Sequence, residues 1–239
     1  MRVFATRVLA TAIPEYEGDR VQLAGWVHRV RDLGGITFVV VRDRSGIVQT
    51  VFEEGASYAP ESVIRVTGPV LANEKAPGGY ELRAEEVELL AEADPNLPVP
   101  VSQDLGEVGL ETILDNRTVS LRNLAVRDIF RVQSRIIKHF SDHMRSEEFT
   151  EIKTSKIIGT GTEGGTGLFE VDYFGSPVYL AQSPQFYKQA MVASGLERVF
   201  EVAPAYRAEK HETPRHLNEY VSLDVEIGFI DTAEELMDL

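Results

Sequence analysis

The stretch FEVAPAYRAEKHETPRHLNEYVSLDVEIGF, Phe200 to Phe229, decides how the rest of the chain is read. An alternating apolar run ends in an arginine and a carboxylate, Arg207 and Glu209. It crosses a short polar segment and resumes as a second alternating run carrying Arg215, Tyr220, Asp224 and Glu226. Successive side chains of a strand point to opposite faces, so the pattern predicts a long β-hairpin with charge on one face. Such a face is either a platform for phosphate and substrate or a solvated surface, and composition leaves both open.

After the hairpin, Asp231 or Thr232 opens a further helix, EELMDL, and the sequence stops inside it, so it reads as cut rather than finished. Before the hairpin come a strand, PVYLAQS, and a helix from near Pro184 to Gly195. The glycine-rich segment GTGTEGGTG, Gly159 to Gly167, is followed by neither GK[ST] nor a helix, which argues against a P-loop. It reads as a mobile loop carrying Glu163 near a site, with a plain surface loop equally consistent. FTEIKTSKII reads as a strand. Upstream of it, Asn123 caps a helix running to about Glu148, with Ile129, Val132, Ile136, Phe140 and Met144 on one packed face.

Residues 91–115, AEADPNLPVPVSQDLGEVGLETILD, are acidic, carry three prolines and show no sustained period, as an interdomain linker does. The N-terminal part holds five strand-like runs: VQLAGWVHRV, ITFVVVRDRSG, IVQTVFEE, SVIRVTGPVLA and YELRAEEVELL. That count suits a small closed barrel, of which the oligonucleotide-binding (OB) barrel is a common form, and a β-sandwich satisfies it too.

At 239 residues the chain holds one large or two medium domains. It has no cysteine, and its five histidines lack zinc spacing, which removes disulfides and thiolate metal sites. There is no eighteen-residue apolar run and no secretory leader, so a cytoplasmic protein with no membrane partner is expected. A net charge of -14 argues against indiscriminate nucleic-acid binding, although residues 1–50 carry seven arginines against five carboxylates and are locally basic.

YRAEKHETPRHLNEYVSLDVE resembles motif 2 of class II aminoacyl-tRNA synthetases, in the subgroup charging aspartate, asparagine and lysine. The long helix with FTEIKTSKI resembles motif 1, TEGGTGLF the loop that closes over the amino acid, and LAQSPQFYK the pocket of the aspartyl members. The resemblance implies an α+β chain. A five-stranded OB barrel over 1–91 reads the anticodon, 92–115 is a hinge, and 116–239 is the N-terminal part of an antiparallel-sheet catalytic domain.

The implied activity is ATP-dependent activation of L-aspartate and its transfer to tRNA. By the same resemblance Arg207 bridges the substrate carboxylate and the α-phosphate, a job suited to its planar fork. Glu209 holds the adenine amino group, Arg215 the γ-phosphate, His216 and Leu217 line the nucleotide, and Tyr220 stacks on adenine. Lys188 holds the acidic side chain, Ser183 and Gln185 orient the amino acid, and Asp224 with Glu163 receives its ammonium.

In the barrel, Phe38 and Gln49 match positions that stack on and hydrogen-bond the central uracil, and Glu81 one that contacts an anticodon base edge. Arg29 and Arg31 meet phosphates. His28 and Pro77 stand where members tolerant of either pyrimidine at the third anticodon letter carry the same pair. This implies tRNA(Asp) and tRNA(Asn) as partners and an Asp-tRNA(Asn) amidotransferase downstream.

A homodimer is implied as well, though Ser155 replaces the usual motif 1 proline after Thr154. Motif 3 and the magnesium ligands belong after residue 239. An asparaginyl enzyme, which Lys188 speaks against, and a non-catalytic tRNA-binding paralogue are the rival readings.

Overall fold

The alternation that begins at Val21 builds the first of six strands in the N-terminal part of this computed structural model. The structure describes residues 7–161, 167–211, 213 and 216–239. By their contacts they divide into two units, Met1–Ile129 and Phe130–Leu239.

In the first unit β1 (Arg20–Asp32), β2 (Thr37–Arg42) and β3 (Ile47–Phe52) form an antiparallel meander. β4 (Val63–Ala72) returns along the other edge of β1, and β5 (Tyr80–Arg83) joins β4 to β3, pairing in parallel with β3. The ring β1-β2-β3-β5-β4 thus closes on itself, and closure removes exposed sheet edges. Leu23, Val27, Val39, Val41, Ile64, Val66, Val70 and Leu82 fill the interior at zero exposure, with Ile13 of a 3-10 helix (Ala10–Tyr16) added to the same core.

YELRAEEVELL, expected as one strand, is two. After β5 the chain leaves β3 and continues as β6 (Glu86–Ala91) along residues 63–67 of β4, while β5 pairs with 70–72 of β4. The passage lies over Gly68, where a Cβ would stand 1.8 Å from the Arg83 carbonyl oxygen. At Gly25 a Cβ would stand 2.3 Å from the Arg42 carbonyl oxygen. Backbone cannot yield as a side chain does, so Gly68→Ala and Gly25→Ala should each cost at least about 1–3 kcal/mol. Urea unfolding checks this, and a loss under about 0.5 kcal/mol would contradict the close approach.

The turn between β2 and β3 is organised by the buried Asp43. Its Oδ1 accepts from Ser45 N at 2.7 Å and Ser45 Oγ at 2.6 Å, and its Oδ2 accepts from Ala10 N at 2.8 Å. Burial, the largest influence, raises its pKa. Hydrogen bonds from Ser45, Ala10 and Gly46 together outweigh burial and leave the carboxyl below its ordinary value. A depressed folded-state pKa gives stability that is present above the unfolded-state pKa and lost as pH falls through the folded one. Asp43→Asn should therefore flatten the acid limb of a stability-pH profile and cost most near neutrality, as thermal melts at stepped pH will read.

Residues 92–123 follow the barrel. Ala93 N donates to Ser62 Oγ at 3.1 Å, and Val99 and Val101 are buried. Two short helices form, α1 (Leu110–Asp115) and α2 (Arg117–Ser120), the first within a segment that shows no helical period. Asn123 then caps α3 (Leu124–Ser146): its Oδ1 accepts from Ala125 N at 3.0 Å, as the sequence predicts, and its Nδ2 donates to Gln103 O at 2.8 Å. The apolar stripe is packed only at its end. Ile129, Val132 and Ile136 are 66%, 56% and 53% exposed, whereas Phe140 and Met144 join a core with Phe149, Phe200, Val202, Val225 and Ile227.

FTEIKTSKII also divides, into β7 (Thr150–Glu151) and β8 (Ile157–Ile158), which belong to different sheets. Between them Thr154 N donates to Glu201 Oε1 at 2.8 Å instead of to a neighbouring strand, and Lys156 Nζ reaches Glu201 Oε2 at 2.9 Å. β9 (Glu170–Tyr173) and β10 (Ser176–Leu180) make a hairpin of which only the second strand is expected. They turn on Phe174 and Gly175 at φ of 52° and 83°. α4 (Gln185–Met191) ends in a wider turn closed by Gly195, φ 101°.

β11 (Arg198–Tyr206) and β12 (Glu219–Ile227) are the long hairpin, paired without a break from Arg198↔Ile227 to Tyr206↔Glu219. β7 adds in parallel beside β11. α5 (Ala233–Met237) opens with a capping box between Thr232 and Glu235. The α+β class and the closed five-stranded barrel thus stand as expected, and the C-terminal part holds two three-stranded sheets, β8-β10-β9 and β12-β11-β7.

Candidate functional site

The hairpin register sorts its side chains between two faces. Phe200↔Val225 and Val202↔Leu223 belong to one face, on which Phe200, Val202 and Val225 pack with Phe140 and Met144 of α3. Ala205↔Tyr220, Glu201↔Asp224 and Val199↔Glu226 belong to the other, which carries the charge.

At the open end of the hairpin, Arg207 N donates to Asn218 O at 2.9 Å and Glu209 N to Asn218 Oδ1 at 3.0 Å, so Asn218 braces both residues. Arg207, Glu209, His216, Leu217 and Tyr220 line one cavity of about 310 Å³. The Arg207 guanidinium carbon lies 5.7 Å from the centre of the Tyr220 ring, within cation-π range. Thr213 Oγ1 and His216 Nδ1 are 2.6 Å apart. Arg215 and Glu163, both named from the sequence, lie outside the described residues.

Further along the same face α4 supplies Lys188, 5% exposed. Its Nζ donates to Asp224 Oδ1 at 3.1 Å and to the Val225 carbonyl at 3.3 Å, and stands 3.7 Å from Glu226 Oε2. The two residues expected to take opposite ends of an amino acid are therefore paired with each other. Asp224 Oδ2 is buried with no hydrogen-bond partner among the described residues, an orphan acceptor that asks for a donor. Gln185 Nε2 donates to Glu226 Oε2 at 3.4 Å, and its backbone N to the buried Ser183 Oγ at 3.3 Å.

Glu226 was named in the charged run but given no role by sequence reasoning, and the part-buried cluster that Thr154 and Lys156 make around the buried Glu201 was not anticipated. The available signal was alternation, since Glu201, Asp224 and Glu226 share one face. Among the described residues no three acidic or imidazole groups gather as a metal site.

On the barrel, Arg31↔Phe38↔Val51 and Arg29↔Val40↔Gln49↔Glu81 form two rows facing away from the core, whereas Val39 and Val41 face inward. Phe38 is half-buried on this outer face rather than a core residue, and Arg29 is exposed. Gln49 Nε2 and Asn73 Nδ2 both donate to Glu81 Oε2, at 2.9 and 2.8 Å. Pro77 is exposed and lines a cavity of about 230 Å³ with Thr11, Ile13, Ile47 and Tyr80. His28 is 9% exposed, and its Nδ1 lies 2.9 Å from Arg42 Nη1.

With this geometry in place, the family relations are direct. Residues 109–239 match the family of class II tRNA synthetases (D, K and N), and residues 21–90 match the OB-fold nucleic acid binding domain. The chain belongs to the class II tRNA synthetases of this group.

Within that class it is similar to the aspartate-tRNA(Asp/Asn) ligase of Deinococcus radiodurans, 49% identical over 98% of this chain and 53% of that protein. It is likewise similar to the ligase of the same name from Thermus thermophilus, 48% identical over 98% of this chain and 55% of that protein. Among solved structures it resembles asparaginyl-tRNA synthetase from Pyrococcus horikoshii complexed with asparaginyl-adenylate. There the TM-score is 0.86 at 32% identity, covering 94% of this chain and 53% of that one. The chain spans about half the length of the curated relatives it matches. No helix of the described residues is long and apolar enough to cross a membrane.

Proposed function

We propose that this chain carries the anticodon-reading part and one wall of the activation site of a cytoplasmic enzyme that charges tRNA(Asp) and tRNA(Asn) with L-aspartate. The observation that carries the reading is the hairpin face. It lines a cavity of about 310 Å³ with Arg207, Glu209, His216, Leu217 and Tyr220, and sets a buried lysine beside an orphan carboxylate oxygen. Residues 1–91 read the anticodon, 92–115 serve as the hinge and 116–239 contribute to catalysis.

Adenine stacks on Tyr220 and its amino group donates to Glu209. Arg207 binds the α-phosphate and the reacting carboxylate together. A carboxylate oxygen attacks the α-phosphorus, pyrophosphate leaves, and an aminoacyl-adenylate forms. A ribose hydroxyl of tRNA then attacks the carbonyl carbon and AMP leaves. Positioning and electrostatics suffice, and no side chain acts as nucleophile.

Before substrate binds, Lys188 and Asp224 neutralise each other. Aspartate replaces that pair with two: its side-chain carboxylate takes Lys188 and its ammonium takes Asp224, so no charge is left buried alone. Ser183 and Gln185 orient it. Glu163 and Arg215 join from outside the described residues, and magnesium is required but has no step assigned to residues of this chain.

On the barrel, Phe38 stacks on the central anticodon base, and Gln49 and Glu81 read base edges. Arg29 contacts phosphate, and His28 with Pro77 sets tolerance at the third letter. The exposed Ile129, Val132 and Ile136 of α3 support a homodimer. The Asp-tRNA(Asn) formed is the substrate of an amidotransferase.

Aspartylation of purified tRNA(Asn) by the polypeptide carried to the length of its relatives tests this. Charging of both tRNAs supports it, and charging of tRNA(Asp) alone removes the dual specificity. The likeness to an asparaginyl structure makes asparagine the second reading. It would place an uncharged carboxamide against Lys188, and amino-acid-dependent ATP/pyrophosphate exchange separates the two.

A further inference from the structure

The bulge in β1 between Val27 and Arg29 leaves His28 out of the β1–β2 register. Beside it lies a buried ion pair: Arg42 Nη1 donates to Glu61 Oε1 at 2.8 Å and Arg42 Nη2 to Glu61 Oε2 at 2.7 Å, with the two side chains 4% and 1% exposed. Glu61 holds this position at φ 69°, a left-handed conformation that a glutamate adopts at a cost. Its backbone N donates to Val27 O at 2.7 Å, which seats it next to the bulge. Arg122 Nη1 stands 3.3 Å from Glu61 Oε2, and both arginines lie over the Trp26 ring at 5.8 to 5.9 Å.

A guanidinium has no acceptor. At 2.9 Å from Arg42 Nη1, His28 Nδ1 must therefore accept, so the imidazole is neutral and its proton sits on Nε2. Burial first and the Arg42 cation second push the imidazole below the ordinary histidine range. Arg29 adds to this and Glu61 opposes it. His28 Nε2 makes no hydrogen bond among the described residues, so as an N–H it has one bond to give.

Cytosine and uracil differ at N3 and at the group on C4, where one presents an amino donor and the other a carbonyl acceptor, but both present an O2 acceptor. A single N–H aimed at O2 treats them alike. An Nε2 lone pair would instead accept from the cytosine amino group and repel the uracil carbonyl.

We propose that Arg42, clamped by Glu61, is a positioning residue that holds His28 as an Nε2–H donor, and that this donor reads the O2 acceptor shared by the two pyrimidines at the third anticodon letter. This rests on the anticodon-reading role given to His28 above.

The test has two arms on the chain as it stands. Nitrogen-15 NMR of its five histidine side chains, with His28 assigned by substitution, reads tautomer and charge directly. Binding of two anticodon stem-loops that differ only in cytosine or uracil at the third letter reads selectivity. The wild type should show a neutral Nε2–H imidazole near pH ~7 and bind both RNAs within about threefold. R42K, still only a donor, should keep both results. The double variant R42Q/E61Q, which frees Nδ1 to donate or accept, should separate the two RNAs by at least about tenfold.

A merely structural role would weaken both RNAs equally. An Nδ1–H or charged imidazole in the wild type, or a folded double variant that still binds both RNAs alike, overturns the proposal. If the double variant does not fold, the wild-type tautomer and the R42K ratio decide. If the wild type binds neither RNA, the anticodon role itself has failed, and with it the O2 contact, while the tautomer still judges Arg42 as the group that sets His28.

Discussion

Replacing Arg207 by alanine in the polypeptide carried to the length of its relatives lowers aspartate-dependent ATP/pyrophosphate exchange by at least about a hundredfold, or ~2.7 kcal/mol. Charge develops on the α-phosphoryl oxygens as the carboxylate attacks, and a planar fork can serve that group and the attacking carboxylate together. The residue is well placed to be fixed beforehand. Its backbone N is tied to Asn218 O at 2.9 Å and its side chain lies over Tyr220. An Arg207→Lys protein should recover little of the loss, because an ammonium cannot be bidentate. Exchange within about threefold of wild type in Arg207→Ala would remove the residue from the transition state.

Lys188→Met should weaken aspartate binding by at least about a hundredfold and also destabilise the fold, since it leaves two carboxylates facing each other without their cation. Asp224 would keep no cation at its Oδ1, and Glu226 would keep the 3.4 Å bond from Gln185. The two effects separate on inspection of substrate. The KM for aspartate should rise while the KM for ATP, which we assign to the cavity lined by Arg207, Glu209, His216, Leu217 and Tyr220, changes little. Titration of exchange rate against each substrate makes the comparison. Equal rises in both constants would mean that the lysine supports the hairpin and not the amino acid.

What could be read in advance follows from the range of the forces involved. The hairpin from Phe200 to Phe229 was legible because alternation is local, and its register confirms charge on one face and apolar packing on the other. The barrel was legible for the same reason. The break in YELRAEEVELL was not, because it depends on Gly68 admitting the Arg83 carbonyl from another strand. FTEIKTSKII looked continuous until Glu201, 47 residues away in sequence, took the Thr154 N–H.

The stripe on α3 was visible, but periodicity says which side chains share a face and not what covers them. Ile129, Val132 and Ile136 remain exposed here. The residues proposed to bind nucleotide were named by resemblance, and four of the five that line the cavity sit beyond the regular part of the hairpin, where no period guides the eye. The pairing of Lys188 with Asp224, and of Arg42 with Glu61 and His28, had no sequence signal, since each joins distant elements through one contact.

The most direct test of the central claim is amino-acid-dependent ATP/pyrophosphate exchange by the polypeptide carried to the length of its relatives, run with aspartate and asparagine side by side. The account predicts exchange with aspartate at least about a hundredfold above asparagine. Exchange that depends on asparagine, or on neither amino acid, would contradict it.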